Sequence, residues 1–493
     1  MQHRVMTMLS AWLLTVACAA QTPVDIGPQR QLFTDNAMVS SMSNVWLHVN
    51  SITKLGRPIV SPDEAWEGTA LQFGGVLQDP EGGLFKMWYS TFAIAASGKA
   101  PGWRQCYAES KDGIHWTKPD LGLVDFQGSR HNNLVAFSRS EYFSTPLGYV
   151  MLDPRPEEKS RRFKSFAMIT GGYGILSSAD GLTWTPYEKN PVCDATGDVA
   201  PTLFDEHRNQ FVSYMKLSAS VAGRSRRAVG LRTSPDLIHW TSNRAIIVPD
   251  AWEDERAKVM MATRKGWMEY YGMIGFPYES NYLGLLWSFF CNAEPVGTTE
   301  GVFQVELATS RDGSTWTHAA DRAPVIERGT PGSFDGGMVF TSARPLTVGN
   351  EIRVYYCGWE STHGSYWYEE PQTDEPLKRG FISVGTLRRD RWVSVDARLG
   401  EGQLTTKPFR FTGTRLVINA DATGGSVRVA LLTESGQELP GFGATDCAPL
   451  QQRSDLDWNV AWSGAPSLAL QQGQPVRLKF LLTNARLYTF QFQ

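Results

Sequence analysis

Apolar and polar residues alternate with a period of two along most of this chain, and the alternating runs fall into triplets. Residues 70–78, 84–90 and 105–110 form the first triplet, and residues 149–152, 162–169 and 174–177 the second. The third is 199–204, 210–216 and 228–233, the fourth 269–276, 282–289 and 303–310, and the fifth 337–342, 351–356 and 381–387. A period of two sends alternate side chains to opposite faces, so each run is read as a β-strand. Turn formers separate the runs, as in Asp79-Pro80-Glu81-Gly82-Gly83 and Asp153-Pro154-Arg155-Pro156. Helical periodicity is scarce, which makes the chain all-β.

Four triplets end in nearly the same heptapeptide: Ser110 to Trp116, Ser178 to Trp184, Ser234 to Trp240 and Ser310 to Trp316, each with Asp at its third position. Asp bonds neighbouring backbone amides, the Gly that follows it accepts a positive φ, and the Trp restarts a strand. The copy with Asp236-Leu237 lacks that Gly and is expected to use a different turn. A degenerate fifth copy is Arg388-Arg389-Asp390-Arg391-Trp392, and the tryptophans lie 56 to 76 residues apart. A recurrent sheet unit of that length predicts a radial repeat: a five-bladed β-propeller over residues 21–397, each blade closed by the strand that carries the Trp. From 398 to 493 the heptapeptide disappears, and alternating runs at 415–419, 426–432, 475–483 and 486–492 predict a C-terminal β-sandwich.

The 493 residues carry a formal charge of −3, which gives no bias toward nucleic acid or anionic membranes. Residues 1–20 read as a secretory signal with an Ala17-Cys18-Ala19 cleavage site, predicting a secreted or periplasmic protein; lipid attachment at Cys18 is the alternative. The other cysteines, 106, 193, 291, 357 and 447, are odd in number and lack a C-x-x-C pair, so buried thiols with at most one bridge are expected. No stretch approaches the ~20 apolar residues of a membrane helix. Neither a cofactor loop nor a metal-ligand spacing is present, although a structural ion on the propeller axis is compatible with the fold. Oligomeric state is not legible.

In a propeller the inner strand of every blade points one end at a shared axial pocket, so chemistry is sought where those strands begin. Four of five blades place a carboxylate there: Glu67, Asp198, Glu269 and Asp335. The second blade has His131-Asn132-Asn133 upstream. Converging carboxylates shift one another's pKa and yield an acid beside a base, which glycoside hydrolysis requires. The catalytic candidates are therefore Asp198, Glu269 and Asp335, with Glu269, flanked by Trp267, Tyr270 and Tyr271, best suited to be the acid. Substrate-binding candidates are Glu67, Asn133, Arg344, Trp359 and His363. Each of these also has a plain structural reading, as a turn cap, an ion pair or aromatic core.

The repeated markers, the five blades, the carboxylates and the trailing sandwich resemble the five-bladed propeller glycosidases, the superfamily of fructan-cleaving invertases and arabinan-cleaving enzymes. The segments Phe85-Lys86-Met87-Trp88-Tyr89 and Gly272 to Tyr278 resemble a secreted branch of it. The resemblance implies glycosidic-bond hydrolysis of a poly- or oligosaccharide without a cofactor. The chain departs from the invertase motifs: Asp79-Pro80 lies after the first strand, Asp153-Pro154 only imitates an Arg-Asp-Pro motif, and no Glu-Cys acid motif occurs. Their catalytic roles are therefore not carried over. Two alternatives remain, a non-catalytic carbohydrate-binding propeller and a sialidase-like enzyme. The second is weakened because Gly follows Asp immediately in the markers, and because no arginine triad with a Tyr nucleophile is evident.

Overall fold

A computed structural model describes residues 22–92, 103–139, 147–292, 300–341, 343–364 and 380–493. The expected signal at 1–20 lies outside the described residues, as does Ser342 at the end of the fifth inner run. The architecture is all-β, a five-bladed propeller with a β-sandwich. Blade one holds Ala70–Gln78, Phe85–Phe92 and Arg104–Ser110. Blade two holds Tyr149–Leu152, Phe163–Ile169, Gly172–Ser178 and Thr183–Pro186. Blade three is Thr202–Asp205, Gln210–Val221, Arg224–Ser234 and Arg244–Ile247. Blade four is built on Trp267–Tyr278, Asn281–Cys291 and Gly301–Ser310, with two short outer strands.

Blade five differs from the expectation. Its own strands, Met338–Phe340, Leu346–Val348, Glu351–Trp359 and Gly380–Arg388, are joined on the outer side by Thr53–Lys54 from the other end of the chain, paired through Gly385 to Lys54 and Thr386 to Thr53. Trp392 therefore closes no blade. It lies fully buried against Phe276 and Tyr278 of blade four, immediately before the first long sandwich strand, Val393–Thr406. A circular array has to be joined somewhere, and a strand donated by the N-terminal segment ties the two ends of the ring with backbone hydrogen bonds.

The marker turns lock neighbouring blades. In each, the Ser hydroxyl and the Asp carboxylate accept the turn amides, and the Trp indole donates to the carbonyl of the fourth residue, at 3.2 Å for Trp116 and 3.0 Å for Trp184. The same carbonyls receive a donor from another blade: Trp88 Nε1 to Gly181 O at 2.6 Å, and Tyr355 OH to Gly113 O at 2.8 Å. Leu237 does not force another turn. It takes φ +69°, close to Gly113 at +73°, and its Trp240 indole donates to Leu237 O at 2.6 Å. Burial of its side chain in the cluster with Phe166 and Phe211 offsets roughly 1–2 kcal/mol of left-handed strain.

The sandwich begins earlier in the chain than residue 398. Strands Val24–Asp25, Gln31–Leu32, Val39–Ser43 and Trp46–Val49 join its sheets, and Val393–Thr406 enters before the expected boundary. Val476–Phe492 runs through both layers, and Phe33, Phe409, Phe480 and Phe490 fill the space between them. The single α-helix among the described residues, Ala251–Met260, was hidden from a search for periodicity because its polar face dominates. Asp250 caps it by accepting from Glu253 N at 3.0 Å, so an Asp-x-x-Glu capping pattern was the available signal. All five described cysteines are free thiols, and four of them are buried.

Candidate functional site

Each inner strand runs from one rim of the propeller to the other, and the markers sit at its far end: Gln78 pairs with Phe85, and Phe85 with Ser110. The residues that begin the inner strands therefore occupy the rim opposite the markers. There the main polar assembly gathers around Tyr271. Tyr270, Tyr271 and Gly272 span a register break in which Tyr270 pairs with Ser288 and Gly272 with Trp287, leaving Tyr271 as the extra residue of a bulge. A bulge re-aims a side chain. Tyr270 turns outward to His318, its hydroxyl 2.8 Å from Nε2, while the Tyr271 hydroxyl lies 3.4 Å from Nε2 of His363.

Blade three brings two cations to this ring. Lys216 Nζ sits 3.9 Å from the Tyr271 centroid and the Arg227 guanidinium 5.3 Å from it. Lys216 forms an ion pair with Asp198, and Arg227 donates to Glu269, whose other oxygen accepts from Trp267 Nε1 at 3.1 Å. Phe289 and Phe303 flank His363, with ring centroids at 5.0 and 5.7 Å. Asp198 is the open member, its side chain 52 % exposed against 6 % for Glu269. Burial pushes the Asp198 carboxyl up, but Lys216 and Arg227 outweigh it and hold the pKa below the ordinary range. Burial also pushes the Lys216 ammonium down, against the pull of Asp198. The Tyr271 phenol is raised by burial and by the Asp198 charge. The assembly thus offers one exposed carboxylate held ionised, one buried carboxylate under a permanent cation, and an imidazole against aromatic walls.

The remaining candidates lie in other groups. Asp335 is buried and accepts from Lys54 Nζ at 2.8 Å, Tyr356 OH at 3.2 Å and Ser333 Oγ at 3.1 Å. Because Lys54 belongs to the donated strand, this pair clamps the ring closure. Glu67 is wholly buried and accepts from Tyr89 OH at 2.5 Å, Lys118 Nζ at 2.7 Å and the Asp63 and Glu64 amides at 3.0 Å. Burial raises its carboxyl despite these partners. Asn133 completes the same cluster by donating to Tyr89 OH and Tyr107 O, both at 2.7 Å, and accepting from Trp66 Nε1 at 2.8 Å. Trp359 is buried at the end of its strand, packed on Phe340. Arg344 follows a blade-five inner strand at the marker rim and pairs with Glu206 at 2.7 Å, both about half-exposed.

Of the eight candidates, Asp198, Glu269 and His363 come together around Tyr271, and Glu67 and Asn133 meet separately at Tyr89. Lys216 and Arg227 were missed. Their signal was present: Lys216 ends the second run of blade three, and Arg224-Ser225-Arg226-Arg227 immediately precedes the third, so both flank a hairpin tip at this rim. Among the described residues, no group of three or more His, Cys, Asp or Glu side chains is placed to hold a metal ion. No described helix is long and apolar enough to cross a membrane.

No family model matches the chain. It is 28 % identical over 176 residues to the uncharacterized protein Rv1502 of Mycobacterium tuberculosis, and 28 % identical over 173 residues to the uncharacterized protein MT1551 from another strain of that organism. These matches cover 32 % of this chain and 50 % of each relative, so the chain spans about half the length of the curated relatives it matches. Among solved structures it is similar to a glycoside hydrolase with a TM-score of 0.46 and 13 % identity, covering 69 % of this chain and 92 % of that one. A glycosyl hydrolase from Bacteroides ovatus gives 0.44 and 14 %, covering 70 % and 95 %. The Bombyx mori GH32 β-fructofuranosidase BmSUC1 gives 0.40 and 11 %, covering 89 % and 94 %.

Proposed function

We propose that the protein hydrolyses a glycosidic bond at the rim where blades three, four and five present Asp198, Glu269 and His363. The observation that carries this reading is the convergence of two carboxylates from adjacent blades on the Tyr271 group. Asp198, exposed and held ionised, is suited to act as base or nucleophile. Glu269 is the proton donor, freed to meet the leaving oxygen when Arg227 turns toward substrate. His363 and Lys216 serve as hydrogen-bond donors to sugar hydroxyls.

The test begins with a glycan panel against the wild-type protein, followed by the Asp198→Asn and Glu269→Gln variants on whatever substrate is cleaved. Each is expected to lose roughly 10² to 10⁴ in kcat; Asp198→Asn, at the open carboxylate, should change thermal unfolding little, whereas Glu269→Gln strands the Arg227 guanidinium and should lower it. Full turnover in both variants would falsify the assignment. A second reading, a non-catalytic carbohydrate-binding propeller, is favoured by a specific observation: Lys216 and Arg227 already neutralise both carboxylates. Binding without any turnover across the panel selects it.

A further inference from the structure

We propose that the sandwich carries a second carbohydrate site, separate from the propeller rim, that takes a single neutral sugar unit. The two long strands Val393–Thr406 and Val476–Phe492 pair from Val395 to Ala397 and again from Glu401 to Thr405, with a register break between. Asn484 stands opposite the break with φ +42°, and Gly400 within it has φ +78°. A break of this kind parts two strands that would otherwise close on each other. At this place lies a cavity of about 260 Å³ lined by Asp396, Arg398, Asp421, Asn484 and Arg486. That volume equals roughly nine waters at about 30 Å³ each, below the usual span of pockets for larger ligands, so it suits one ring and not a chain.

The register explains why these groups share one face. Trp46 pairs with Asp396, Asp396 with Arg486, and Arg486 with Asp421, so four side chains form a row across four strands. The Asp396 side chain has no exposure, and its Oδ1 has no hydrogen-bond partner among the described residues. Its Oδ2 meets Arg486 Nε at 3.4 Å and Arg398 Nη2 at 3.5 Å, long contacts that leave donor capacity on both guanidinium groups. With no exposure, Asp396 lies beneath the cavity floor and holds the two guanidinium groups in place, and the side chains that face a ligand are Arg398, Asp421, Asn484 and Arg486.

The cavity mixes donors and acceptors: two guanidinium groups, the Asn484 amide and the Asp421 carboxylate, which Arg391 also approaches at 3.5 Å. An inorganic anion meets Asp421, and a divalent cation meets Arg398 and Arg486. Vicinal sugar hydroxyls satisfy both, donating to a carboxylate while accepting from a guanidinium. Trp46, 40 % exposed, lies beneath the Arg398 guanidinium at 5.4 Å and supports that side chain at the cavity's edge.

The experiment is titration calorimetry of the full chain with a set of neutral methyl glycosides, using an Asp198→Asn background that prevents turnover during the titration. One glycoside is expected to bind with unit stoichiometry in the millimolar range. Arg398→Ala and Asp421→Ala, both at partly exposed positions and checked by thermal unfolding, are expected to weaken it roughly tenfold or more, the loss of one charge-assisted hydrogen bond. The proposal is overturned if no glycoside binds, if affinity is unchanged in Arg398→Ala and Asp421→Ala, or if only sulfate or calcium binds there. Binding that persists in Asp198→Asn and falls in Arg398→Ala and Asp421→Ala assigns the site to the sandwich, independently of the propeller assignment.

Discussion

Replacing Lys118 by Met tests whether Glu67 is scaffold. In the native protein the Glu67 carboxylate has no solvent exposure and is held by Lys118 Nζ at 2.7 Å, Tyr89 OH at 2.5 Å and two backbone amides. Removing the cation leaves an uncompensated buried charge, a change that costs about 3–5 kcal/mol where the charge is retained. The carboxyl has an escape, which is to bind a proton. From its ordinary value of 4.5, protonation at pH 7 costs about 1.4 kcal/mol per unit, or about 3.4 kcal/mol in all. The expected loss in Lys118→Met is therefore about 3 kcal/mol at pH 7. The sign of its pH dependence follows: a carboxyl whose folded pKa is raised stabilises fully below 4.5, and that contribution is lost as pH rises through the folded value. The deficit should thus shrink toward pH 5, and adding Glu67→Gln should restore most of it. Urea unfolding across this pH range reads the effect. A deficit under about 1 kcal/mol at pH 7, or one that does not change with pH, would refute the reasoning.

Gly181→Ala places a Cβ 2.5 Å from Trp88 Cζ2 at a residue with φ +83°, so strain and overpacking together should cost about 2–5 kcal/mol. Gly82→Ala, with open space around it, is the control, and thermal unfolding that moves equally in both would contradict the blade-locking role of the marker. His318 is held neutral, first by burial and then by Arg322 and Arg256, down to about 3 from an ordinary 6.5. Its contribution is complete above 6.5 and is lost as pH falls toward about 3, so His318→Phe should flatten the acid limb of the stability curve; equal slopes would count against it. Lys54→Met should lower stability by about 3–5 kcal/mol by stranding buried Asp335, and unchanged unfolding would remove the ring clamp from the account.

The blade count, the strands and the turns were legible because their causes are local. Alternation needs only the next residue but one, and the Ser, Asp and Trp of each marker bond within seven residues of one another. The same locality misled at Leu237, where a missing Gly suggested a different turn. The decisive term there was tertiary, since the buried side chain repays the strained φ. At Trp392 the marker was intact enough to read, but the strand that closes blade five comes from Thr53–Lys54, a pairing that no local signal announces.

The candidate site divides along the same line. Sequence alone determined that this is a radial all-β repeat followed by a sandwich, and that carboxylates recur where the inner strands begin. Which carboxylates meet was decided only in three dimensions. Glu67 and Asp335 find cations at Lys118 and Lys54, 51 and 281 residues away, and become struts, whereas Asp198 and Glu269 meet around a tyrosine turned by a bulge. An isolated charge costs too much to bury, so each acid takes its meaning from its partner, and partners are set by the closure of the ring.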